Sequence, residues 1–156
     1  MVDQFRAYGR NLPHWELPGE VYFITFRTSD DEILSDEEKA VTLSSLKFHA
    51  GKLYTLYACV VMSNHVHIIL QPEEMSEGTY HSLTRIIHSI KSYSANGIQG
   101  LGQKTGNIWQ NGNYDRIIRT DSDFLEKMNY LIYNPVKAGM VANPEDYQWL
   151  YFQGMD

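Results

Sequence analysis

Hydrophobic and polar positions fall into two periods along this chain, and together they predict strands and helices in a definite order. Residues 21–28 are rich in β-branched and aromatic side chains and predict a strand. Ser35-Asp36-Glu37-Glu38 has the form of a capping box, with Ser35 as N-cap and Glu38 three positions on. The helix it opens runs to about Ala50, where Gly51 supplies a stop. Residues 53–62 and 65–71 predict a hairpin of two strands about a turn at Ser63-Asn64. Tyr80, Leu83, Ile86, Ile87 and Ile90 recur at helical spacing, and this second helix ends near Gly97. A glycine-rich loop follows to Gly106, and residues 113–119 predict a fourth strand. Thr120 can cap a third helix that runs from Asp121 to about Asn134, where Pro135 limits it.

The first six elements give the order of a split βαβ unit. The expected architecture is α+β: a ferredoxin-like antiparallel sheet with helices on one face, plus a C-terminal helix. A length of 156 residues fits one domain, 1–156. An apolar share of 43% is enough for a core. No stretch nears the roughly 18 uninterrupted apolar residues of a membrane span, and the start of the chain has no apolar signal core. The expectation is a cytoplasmic protein without membrane contact. Cys59 is the sole cysteine, which excludes a disulfide framework or a thiolate metal centre.

The strongest chemical pattern is His65-Val66-His67 on a predicted strand. Alternation puts both imidazoles on one face, with Cα atoms roughly 6 to 7 Å apart, close enough to converge on one cation. Val66 and Ile68 point to the opposite face, toward a core. The pair is either two half-exposed strand histidines or two ligands of a divalent metal.

On the third helix, Phe124, Leu125, Met128, Leu131 and Ile132 form an apolar stripe. Tyr130 falls roughly 160° from its centre at about 100° per residue. It is either a surface residue or a nucleophile presented to a substrate. Asn134, four residues on, shares its face and could bring an amide oxygen to the same metal.

A formal net charge of −6 argues against holding duplex DNA by general charge neutralisation, although local cations can still form a binding face. Such cations occur at Arg85, His88 and Lys91 on the second helix, at Arg116 and Arg119 around the fourth strand, and at Lys137. They are candidates for phosphate contact or a solvated surface. Trp109, Tyr93 and Tyr114 could stack on unpaired bases, though each could equally be a core side chain.

Residues 60–70 (VVMSNHVHIIL) resemble the HUH signature of single-tyrosine transposases. Residues 108–141 (IWQNGNYDRIIRTDSDFLEKMNYLIYNPVKAGMV) resemble the C-terminal signature of the REP-associated tyrosine transposase branch, and residues 12–16 and 22–26 match its style. The resemblance covers nearly the whole chain. It implies that His65 and His67 bind a divalent ion, Mg²⁺ or Mn²⁺, and that Tyr130 is the nucleophile. It puts Asn134 where many relatives carry a glutamine as third ligand. It places Lys91 and Arg119 in segments that face DNA.

The implied activity is cleavage and rejoining of single-stranded or hairpin DNA through a 5′-phosphotyrosine. Relatives include monomers and homodimers, so either state is open. A histidine-triad hydrolase would need a third histidine where Ile69 stands. A non-catalytic nucleic-acid-binding module, or a domesticated inactive relative, is the alternative.

Overall fold

The computed structural model describes the backbone of residues 5–7 and the whole chain from residue 17 to residue 155. The 12–16 segment lies outside the described residues.

The elements run β1 (Phe5–Ala7), β2 (Val21–Arg27), α1 (Asp36–His49), β3 (Tyr54–Val61), β4 (His65–Pro72), β5 (Glu74–Ser76), β6 (Thr79–Tyr80), α2 (Leu83–Gly100), β7 (Tyr114–Ile118), α3 (Asp121–Ile132), α4 (Asn134–Lys137) and β8 (Leu150–Phe152). Six strands make one sheet in the order β1-β7-β2-β4-β3-β8, and each pairing is antiparallel. The central four strands have the ferredoxin-like arrangement expected from the sequence. Among the described residues, no helix is long and apolar enough to cross a membrane.

Alternation along the strands gives the sheet two apolar faces. Tyr22, Ile24, Phe26, Val66, Ile68 and Leu70 pack with Leu46, Ile86 and Ile90 beneath α1 and α2. Phe23, Ala58, Val60, Ile69 and Leu131 form a smaller core on the opposite face, under α3. A bulge at Tyr57 shifts the register of β3 against β4, between Leu56↔Leu70 and Ala58↔Ile69. The extra residue moves Ala58 and Val60 onto the α3 face.

The capping box forms as expected. The Glu38 amide donates to Ser35 Oγ at 3.2 Å, and the Ser35 amide donates to Glu38 Oε1 at 2.8 Å. Lys104 Nζ reaches the same carboxylate at 2.7 Å. Burial pushes the Glu38 pKa up, but the Lys104 and Ser35 hydrogen bonds outweigh it, and the carboxyl stays below its usual range.

Several boundaries differ from the sequence reading. Tyr80 belongs to β6 in a small hairpin turned by Gly78, and α2 starts at Leu83 behind the Ser82 cap. α2 continues past Gly97 to Gly100, because Gly97 lies against α1: a Cβ there would sit 2.6 Å from Val41 Cγ1. The third helix stops at Ile132, and Asn134 opens the separate turn α4, with Pro135 in its first turn. Strand β8, on the far edge of β3, was not anticipated.

Candidate active site

β2 and β4 pair with Arg27 opposite His65, Thr25 opposite His67 and Phe23 opposite Ile69. Directly opposed residues of an antiparallel pair project to the same face. One patch of the sheet therefore carries His65, His67, Thr25, Phe23 and Arg27, on the side that α3 covers. The two imidazole centroids are 4.8 Å apart with the rings inclined by 73°.

Each ring is held from behind through Nδ1. His65 Nδ1 is 2.8 Å from Asn64 Oδ1, and His67 Nδ1 is 2.7 Å from Thr25 Oγ1. An amide oxygen can only accept, so His65 donates from Nδ1 and its Nε2 keeps the lone pair. The Thr25 hydroxyl can accept in the same sense from His67. Fixing the tautomer through the remote nitrogen is the usual support for a ligating imidazole.

The electrostatics favour the same neutral form. Burial, then the neighbouring His65 and Arg27, pushes the pKa of His67 down to about 3. Burial and Arg27 also lower that of His65, while the Asn134 side chain, an acceptor for the protonated ring, raises it. That hydrogen bond places the Asn134 carboxamide at the His65 ring. Among the described residues, no cluster of three His, Cys, Asp or Glu could enclose a metal. Two neutral imidazoles and one carboxamide oxygen nevertheless form a donor set suited to a divalent ion such as Mn²⁺ that also keeps water ligands.

Tyr130 comes to the same place. Its ring lies edge-on to His67 with centroids 5.5 Å apart, and edge-on to Phe23 at 6.0 Å. Phe23 in turn stacks on His67 at 5.4 Å. Tyr130 is 47% exposed.

Its placement corrects the helical-wheel reading. Leu125, assigned to the buried stripe, is 62% exposed. Asp123 and Lys127 are instead turned inward, with Asp123 Oδ1 3.5 Å from Arg116 Nη2 and 3.2 Å from Lys127 Nζ. α3 is therefore rolled toward Asp123 and Lys127, which leaves Tyr130 at the border of the buried face and against the histidines.

The other predicted cations scatter. Arg116 lies on the histidine face, opposite Phe23 and paired with Asp123. Arg119 and Lys137 are exposed, just beyond β7 and on α4. Lys91 lies on the opposite side of the sheet, over Phe26 at 5.4 Å. Its ammonium donates to the carbonyls of Gln110 at 3.0 Å and Gly112 at 2.6 Å, and burial lowers its pKa to about 8. It fastens the 106–113 loop onto α2.

Between that loop and α2 runs a groove of about 520 Å³. Six carboxamides line it, from Asn96, Gln99, Asn107, Gln110, Asn111 and Asn113, with His88 beside them and no Asp or Glu among its described lining residues. Trp109, buried in its floor, donates from Nε1 to Ser94 Oγ at 2.9 Å.

Sequence reasoning did not single out Phe23, Thr25, Asn64 or Arg27. The alternation of β2 was readable, but which of its faces meets the histidines depends on the β2–β4 register.

A ferredoxin-like sheet thus carries two adjacent imidazoles, and α3 and α4 bring a half-exposed tyrosine and an asparagine to them in one compact cluster. No family model matches the chain. It is similar to the REP-associated tyrosine transposase of Escherichia coli (strain K12), with 25% identity over 138 residues, which is 87% of this chain and 78% of that protein. It also superimposes on the solved structure of a REP-associated tyrosine transposase bound to a REP hairpin. There the TM-score is 0.68 at 22% identity, covering 90% of this chain and 81% of that one. The resemblance to the REP-associated branch of single-tyrosine HUH transposases, read from the sequence, stands on both comparisons.

Proposed function

We propose that this protein is a metal-dependent transposase or endonuclease for single-stranded DNA. It would cleave and rejoin strands beside hairpin elements through a 5′-phosphotyrosine on Tyr130. The observation that carries this reading is the Tyr130–His67 contact within one chain. It gives the nucleophile and the candidate ligands a shared site, supports use of the tyrosine in cis, and fits a monomer. The DNA partner is supported by the relative bound to a REP hairpin and by the acid-free, carboxamide-lined groove of this otherwise acidic chain. Carboxamides suit the donor and acceptor edges of unpaired bases.

His65, His67 and Asn134 would hold Mg²⁺ or Mn²⁺. When bound, the ion supplies charge neutralisation at the scissile phosphate. The Tyr130 oxygen forms the new P–O bond as the bond to the 3′ oxygen breaks. The phenolic proton leaves to solvent, and the 3′ oxygen takes one up. The phosphodiester energy is kept in the adduct, so rejoining needs no nucleotide cofactor. Arg116, Arg119 and Lys137 are proposed phosphate contacts along the strand. Lys91 contributes through the loop it fastens. Residues 1–156 would act as one catalytic unit in the cytoplasm.

The test is a 5′-tailed hairpin oligonucleotide incubated with the protein and Mn²⁺. A covalent adduct should appear on a denaturing gel and vanish with Tyr130→Phe. Cleavage that survives that substitution sinks the assignment. Hairpin binding without any adduct favours a non-catalytic binding module.

A further inference from the structure

We propose that Arg27 is a second electrophile of the site: its guanidinium binds a non-bridging oxygen of the phosphate that Tyr130 attacks. This rests on the function proposed above and adds a residue to it.

Four observations carry the assignment. First, Arg27 is the last residue of β2 and stands directly opposite His65. Opposed Cβ atoms lie about 4.5 to 5.5 Å apart, so its long side chain starts beside the imidazole. Second, its backbone is pinned: its carbonyl accepts from the Gln110 amide at 2.8 Å, and the next residue, Thr28, donates its amide to Asn64 O at 3.0 Å. The arm therefore has a fixed origin relative to both histidines, and its charge is felt at both rings.

Third, its ion-pair partner is Asp31, at 3.5 Å, with the two side chains 45% and 68% exposed. A water-facing pair of this kind is worth at most about 1 kcal/mol, so a phosphate can displace it. Fourth, the neighbouring segment is strongly acidic, with Asp30, Asp31 and Glu32 in succession. A phosphodiester arriving at this end of the sheet meets repulsion unless a cation receives it. Arg116 stands opposite Phe23, further along the sheet from His65, and Lys91 is on the far face, so Arg27 is the cation that starts beside His65.

A guanidinium fork matches two phosphate oxygens at once, which a lysine ammonium cannot do. Its role is electrostatic: it exchanges no proton while the bond to Tyr130 forms and the bond to the 3′ oxygen breaks.

The experiment compares wild type, Arg27→Ala, Arg27→Gln and Arg27→Lys in single-turnover adduct formation on the tailed hairpin with Mn²⁺. A parallel substrate replaces the scissile phosphate by a methylphosphonate, which lacks the charged non-bridging oxygen. Arg27→Ala and Arg27→Gln should slow the normal substrate by about 100-fold, the usual cost of removing one preorganised charge donor. Arg27→Lys should recover only part of the rate.

On one methylphosphonate diastereomer the penalty should shrink to about 10-fold or less. In EDTA, binding of the tail-free hairpin should change by less than about two-fold, whereas binding of the oligonucleotide that spans the scissile phosphate should weaken. Adduct formation by Arg27→Ala within about three-fold of wild type, or an equal penalty on phosphate and methylphosphonate, overturns the assignment. Arg27→Gln and Arg27→Lys carry the same comparison if the alanine variant loses its fold. A wild-type protein that forms no Tyr130 adduct overturns the parent reading, and this one with it.

Discussion

The ring of Tyr130 stands edge-on to that of His67, 5.5 Å between centroids, and Phe23 touches both. A side chain on α3 is thereby locked to a strand of the sheet through an aromatic wedge from the neighbouring strand. Edge-to-face aromatic contacts contribute about 0.5 to 1.5 kcal/mol beyond simple burial. Their larger effect here is to fix where the tyrosine hydroxyl can go.

Phe23→Leu should therefore cost more activity than stability. Loss of the stack should lower stability by about 1 kcal/mol, within the usual range for hydrophobic swaps of this kind. The adduct rate should fall by about 10-fold or more, since small misplacements of a nucleophile are costly. Urea denaturation and single-turnover cleavage separate the two. Equal wild-type rates would show that Phe23 does not position Tyr130.

Stability should fall in mild acid because of His67. Its folded-state pKa, about 3, lies below the unfolded value near 6.5. Between these values the unfolded chain binds the extra proton, so stability decreases as pH drops below about 6.5 and continues to decrease toward about 3. Above about 6.5 the ring is neutral in both states and contributes no slope. His67→Gln should flatten this part of the profile. Thermal melts across the window check it, and an unchanged slope would assign the acid sensitivity elsewhere.

Gly97→Ala should destabilise the protein, although the same change in an exposed helix interior gains about 1 kcal/mol. The new Cβ would sit 2.6 Å from Val41 Cγ1, and a β-branched side chain has little freedom to retreat. Pairing it with Val41→Ala should recover most of the loss, so the double-mutant cycle should show strong coupling. Additive effects would mean that α1 and α2 can separate without cost.

Lys91→Ala should loosen the 106–113 loop. It removes the donor to the carbonyls of Gln110 and Gly112, a loss of about 1 kcal/mol for acceptors that water can partly reach. Because burial puts the folded pKa near 8, below the usual lysine value near 10.5, wild-type stability should rise as pH climbs from about 8 to about 10.5. The variant should lack that rise. Hydrogen exchange at the loop amides and melts in this alkaline range provide the measurements.

Much of the architecture was legible in the chain. The capping box at Ser35 and Glu38, the hairpin around Ser63-Asn64 and the cap at Thr120 all form where their side chains predict. The alternation of His65, Val66, His67 and Ile68 put the two imidazoles on one face and Val66 and Ile68 in the core beneath α1 and α2, as the sequence predicts, although the histidine face carries a smaller core of its own. The failures have physical causes. Gly97 read as a stop because glycine is a poor helix residue, yet it is kept inside α2 by the close approach of α1. Leu125 read as core because periodicity cannot see that Arg116 draws Asp123 inward and rolls the helix.

What the sequence determined by itself is local: which segments extend or coil, where they are capped, and that two imidazoles must share a face, since a strand repeats every two residues. What only the tertiary structure decided is which side chains stand across from them. The register of β2 against β4 sets Thr25 behind His67 and Arg27 beside His65. The seating of α3 and α4 brings Tyr130 to His67 and Asn134 to His65. These contacts join residues tens of positions apart, and no local propensity encodes them. They arise when both faces of the sheet are packed at once.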